Sequence, residues 1–293
     1  MVSIKFFMAL PILIGFSCIS VETPEKHADY VVLGKSINHR QSPEGELTLL
    51  NTVFFGEIFR TGSGTVENGY LSGPGEASSK LRFSEGDVLF LAGERQFTIE
   101  ALTENFPDTT YYFNFDTPDG SIKGMPVSFR RDKGEIRNPG PIQIFLHQDG
   151  RTADPRAINA DMDLVVSWSK FEKGAADPKG LIDDMIYVIL GNCIGEKIVH
   201  SGPAFNDGPN LTFRESEFVI SKESLDPGQP YQVEVEHSEM DTGEYKEIET
   251  IVTYAASSFL DIRTTGINSQ RHDCPDVPYA MDGGQTDRIK YQK

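Results

Sequence analysis

Cations are scarce in this sequence. Its 293 residues carry 27 Lys and Arg against 44 Asp and Glu, a formal net charge of −17. Nucleic acid and anionic lipid surfaces are bound through clustered cations, and the densest cluster here is only Arg130, Arg131 and Lys133. Neither partner is expected. Long apolar runs are also missing: the stretch 6–14 is the most prominent, and it falls short of the roughly 20 residues that cross a bilayer as a helix. No membrane span is expected. Catalytic signatures are absent as well. There is no His-Glu-x-x-His, the six His are dispersed, Gly-x-Ser-x-Gly does not occur, and no phosphate-cradling Gly-rich loop leads into a Lys. The sequence therefore names no catalytic residue, metal ligand or cofactor.

The N-terminus does carry a pattern. Lys5 is the one charge before Glu22, the apolar run follows it, and small residues come next at Gly15, Ser17 and Ser20. That order predicts an export signal over residues 1–20, removed from the folded protein. Cys18 behind Ser17 resembles a bacterial lipoprotein signal, which implies a lipid anchor on Cys18; cleavage near Ser20 is the alternative. Either route leaves Cys193 and Cys274 as the remaining thiols of a chain with 3 Cys. An oxidising compartment then predicts a disulfide between them, stapling the polar tail 263–293 to the domain before it.

Between the signal and the tail, 27 Gly and 17 Pro break the apolar pattern into short runs. Such punctuation predicts an all-β protein of sandwich-like layers. In the first part, strands are expected at 30–33, 47–59, 81–83, 88–92, 97–102, 111–115 and 126–130, with no helix. Phe97, Ile99 and Ala101 alternate with polar residues, and Tyr111, Phe113 and Phe115 alternate likewise. Residues 133–141 hold Gly134, Pro139, Gly140 and Pro141 among charges. This composition predicts a boundary between a β domain at 21–136 and a second β domain at 137–262, in tandem.

Leu164, Val166 and Trp168 alternate at the start of the second unit. Near its end come Leu225, Pro227, Tyr231, Val233 and Val235. This spacing resembles the fibronectin type III family, with the lone Trp of the chain as a second mark. The resemblance implies a sandwich whose core contains Trp168, Leu225, Tyr231, Val233 and Val235, with the Tyr231 hydroxyl reaching nearby backbone.

Asp161 and Asp163, with Asp177, Asp183 and Asp184, invite a calcium reading. Placing the two groups before successive strands separates them, so no metal site is expected. The function expected from these features is that of an exported cell-envelope or secreted binding or scaffold protein, contacting an extracellular glycan or protein. The rival is an exported carbohydrate-active enzyme or an accessory module of one, with aromatics stacking on sugars.

Overall fold

The computed structural model describes residues 26–267, apart from 63, 87, 132–133, 136, 193–195 and 203–209. The first part contains β1 (Ala28–Gln41), β2 (Leu47–Arg60), β3 (Glu67–Ser72), β4 (Leu81–Arg82), β5 (Leu89–Ala92), α1 (Ile99–Asn105), β6 (Thr110–Thr117) and β7 (Gly120–Ser128). A small ribbon, β8 (Arg130–Arg131) with β9 (Gly134–Glu135), follows. Then come β10 (Ile144–Gln148), β11 (Arg151–Thr152), β12 (Leu164–Trp168), β13 (Met185–Asn192), β14 (Lys197–His200), β15 (Leu211–Thr212) and β16 (Glu217–Ile220). The last hairpin is β17 (Pro230–Tyr245) with β18 (Ile248–Arg263). The fold is all-β and sandwich-like.

One expected strand is a helix. The alternation of Phe97, Ile99 and Ala101 suggested a half-buried strand, but Thr98 caps α1 by accepting the Ala101 N–H at 3.1 Å. Phe97 is 74 % exposed, whereas Leu102 and Phe106, four positions apart, are buried. The cap and the spacing of four decide the conformation.

The largest sheet has eight strands in the order β14-β13-β17-β18-β1-β2-β5, with β15 added beside β13. Two four-stranded sheets, β4-β3-β6-β7 and β11-β10-β12-β16, lie on it. Both cover the same face. Side chains alternate along a strand, so the even-numbered residues of β18 point one way. Of these, Ile248, Val252 and Tyr254 enter a first core with Leu71, Tyr111, Phe113 and Met125 of the covering sheet. Further along the same face, Ala256, Leu260 and Ile262 enter a second core with Ile144, Leu146, Val166 and Ile220. Trp168, Leu225, Tyr231, Val233 and Val235 belong to that second core.

The two sandwich-like cores thus share one sheet, which the sequence division at residue 137 does not convey. β18 lies beyond that point yet supplies part of the first core, and β1 pairs with it in parallel from Tyr30 to Gln41. Strand length explains this. β17 and β18 have 16 residues each, roughly three times the ordinary strand, so the hairpin outruns a single sandwich. Gln41 ties the halves further, exchanging side-chain hydrogen bonds with the backbone of Ile144. Within the first core the fully buried Lys35 ammonium pairs with Asp108 and lies 4.9 Å from the Phe129 ring centre. Burial lowers its pKa, and Asp108 opposes the shift.

Candidate functional site

A cleft of about 580 Å3 lies at one end of the second core, lined by residues that include Trp168, Phe171, Gly174, Phe213 and Arg214. Its walls are two loops. One leaves β12 after Trp168, and the other runs from β15 into β16. They meet because β12 and β16 pair antiparallel, with Ser167 opposite Glu217, so the exit of one strand adjoins the entry of the other. Gly174 sits where a Cβ would collide with Phe213 and crowd Phe171, so its lack of a side chain lets the two rings close the cleft.

The floor is aromatic. Phe171 stacks on His237 at 4.6 Å and 12°, and burial lowers the His237 pKa to about 4, leaving a neutral imidazole at neutral pH. Trp168 is 6 % exposed, and its buried indole N–H has no hydrogen-bond partner among the described residues. An orphaned buried donor beside a cleft is unusual, because such groups are ordinarily satisfied by protein, water or ligand. The rim carries opposite charges already paired. Lys170 lies 3.3 Å from Glu172, Arg214 pairs with Asp183 while its guanidinium covers Phe213 at 4.2 Å, and Glu215 accepts from Thr212.

The polar face opposite the cores is the second candidate. Register puts Glu57 of β2 and Glu236 of β17 on this face, in the rows of Ile251 and Ser257 respectively. In a flat sheet the intervening strands would set them about 14 Å apart before any offset along the strands. Instead burial first, and then the charge of Glu236, push the Glu57 carboxyl up to about 7, while Lys197 of β14 opposes the shift. Glu236 itself is raised by burial, against bonds from Ser238 and Ser257. Gln232, Ser257 and Phe259 on this face are buried although they point away from both cores, as the inner side of a curled sheet would be.

No family model and no curated protein matches this chain. Among solved structures, the FN1–FN3 domains of chicken CNTN1 are 13 % identical, with 84 % of this chain and 70 % of that chain covered at a TM-score of 0.18. The mu-homology domain of yeast delta-COP-I, complexed with a Dsl1 WxWxV peptide, is 11 % identical, with 83 % and 100 % covered at 0.21. Likenesses this weak carry no argument about site or activity.

Cys18, Cys193 and Cys274 lie outside the described residues, as do the export signal and most of the tail. The aspartates do not form a shared cluster. Asp163 accepts the Lys222 N–H at 2.9 Å, and β12 and β13, the successive strands that the two groups precede, stand in different sheets. Asp177 accepts from the backbone of Lys179, Leu181 and Ile182; burial raises its pKa, but these bonds outweigh burial and hold it low. Asp184 accepts from Ala175 and Met240 at 2.9 and 2.8 Å. These carboxylates fold the loop before β13. Among the described residues, no group of at least three His, Cys, Asp or Glu could hold a metal ion. Sequence reasoning assigned Trp168 to the core and missed Phe171, Gly174 and Phe213 as its neighbours at a cleft, because their proximity depends on the β12–β16 pairing.

Proposed function

We propose that this chain is an exported binding protein whose second sandwich is fibronectin type III-like and whose ligand seats in the cleft beside Trp168. The cleft carries the reading: about 580 Å3 is within the roughly 300–1,000 Å3 of small-ligand sites, and an aromatic floor under a polar rim is their usual make-up. Two features support the family-level part. The Tyr231 hydroxyl accepts the Asp226 N–H at 2.7 Å across the Pro227–Gly228 turn, in the manner of a tyrosine corner. The strand partition, β10-β12-β16 against β14-β13-β17-β18, is a Greek-key arrangement of the immunoglobulin-like kind.

Trp168 is the single Trp of the sequence, so in the folded chain the Trp emission comes from one side chain, at the border of the cleft and the second core. Titration of the mature chain with a panel of oligosaccharides and short peptides is expected to give a saturable change with at least one member. A flat response to the whole panel would overturn the reading. A hydrolase is the second reading, favoured by the carboxyl of Glu57, raised by burial and then by the charge of Glu236. Release of reducing ends from a polysaccharide, lost in Glu57→Gln, would establish it in place of the first.

A further inference from the structure

We infer that the Trp168 cleft takes a neutral saccharide, a short oligosaccharide without acidic or basic groups. This inference rests on the reading of the cleft as the binding place. Three observations carry it. The floor offers ring surface from the partly buried Phe213, backed by the buried Phe171, and the C–H face of a sugar packs against such a ring as an apolar surface does. The rim holds donors and acceptors side by side: Lys170, Arg214 and Ser216 donate, and Glu172 and Glu215 accept. A sugar hydroxyl does both, so one ligand group satisfies either kind of rim atom. The Trp168 indole N–H, buried and without a partner among the described residues, is a donor that a ligand hydroxyl or ring oxygen would satisfy.

Charge decides between saccharides and other ligands. Lys170 is paired with Glu172 and Arg214 with Asp183. An anionic ligand would have to displace a carboxylate from a cation it already holds, and it would approach a chain of net charge −17. A cationic ligand would have to displace Lys170 or Arg214, or take Glu215 from the Thr212 N–H and hydroxyl that it already accepts. A neutral polyol adds hydrogen bonds and leaves both pairs intact.

The test is a comparison of probes on the mature full-length chain. Maltohexaose, cellohexaose and chitohexaose represent neutral saccharides; oligogalacturonate represents acidic ones, and an uncharged tripeptide represents peptides. The expected result is saturable quenching or a shift of Trp168 emission with at least one neutral oligosaccharide and none with the other two. A response confined to oligogalacturonate or the tripeptide overturns the ligand class while leaving the cleft as a binding place. No response to any probe overturns both. By calorimetry, Trp168→Phe, which keeps a ring and removes the N–H, should weaken the neutral ligand about tenfold. Phe213→Ala, at a partly exposed ring, should weaken it by a similar factor if Trp168→Phe proves unstable, and Tyr112→Ala, outside the cleft, should leave Kd unchanged. Equal affinity in all of these proteins would place the ligand elsewhere and sink the inference.

Discussion

A tyrosine buried in a sandwich must satisfy its hydroxyl, and Tyr231 does so by accepting the Asp226 N–H while its ring stays in the second core. Tyr231→Phe removes only the oxygen and strands the Asp226 donor, so a loss of about 1–2 kcal/mol is expected. Tyr231→Ala also empties the ring's place and should lose about 3–5 kcal/mol. Urea midpoints of the two variants check the order; a wild-type midpoint in Tyr231→Phe would mean that the hydrogen bond contributes nothing, and equal losses in both would mean that the ring's packing contributes nothing. Glu57 behaves in the opposite sense. Its folded pKa of about 7 lies above the ordinary 4.5, so between these values the folded chain holds a proton that the unfolded chain has released. Glu57 therefore destabilises the fold fully above about pH 7, and the penalty disappears below about pH 4.5. Glu57→Gln should raise stability by up to about 3 kcal/mol near pH 8 and by little near pH 4. Urea melts at the two pH values test this, and an unchanged or lowered midpoint at the higher pH would refute it.

At the scale of the element, alternation in the sequence is readable where one face of a strand is covered. Tyr231, Val233 and Val235 alternate, and all three line the second core. Gln232 and Glu234 between them look like a solvated face, yet both are buried, because the curl of the sheet encloses that side too. Curvature comes from the combined twist of many strands and has no local signature. Helix α1 was illegible for a different reason: over so few residues Phe97, Ile99 and Ala101 fit a period of two, and only the Thr98 cap distinguishes the alternatives. Gly34 shows the same limit. A Cβ there would strike the ring of Phe55, its partner on β2, so the glycine admits an aromatic from the neighbouring strand. Nothing near Gly34 in the chain announces that ring. The cleft was not legible: Trp168 read as a core residue by its alternation, and the rest of the lining is brought in by pairing between strands far apart in sequence.

At the scale of the whole molecule, the shared sheet governs cooperativity. Tandem domains joined by a linker unfold independently, whereas here β17 and β18 run through both cores and β1 is bonded along most of β18. Unfolding either core would break up the strands that carry the other. A single transition is therefore expected, even though the chain exceeds the length at which two-state behaviour is the rule. The two cores can be followed separately, since the only Trp lies in the second core, while the amides of Phe113 and Val127 lie in strands of the first. Trp168 fluorescence and hydrogen exchange at those amides should lose their native signals at the same urea concentration. Val252→Ala sharpens the test. It removes two buried methyl groups from the first core, a loss of about 2 kcal/mol, and it should lower the midpoint reported by Trp168 as much as the midpoint reported by the amides. If Trp168 melts at its wild-type midpoint in Val252→Ala, the cores are energetically separate and the shared sheet does not couple them.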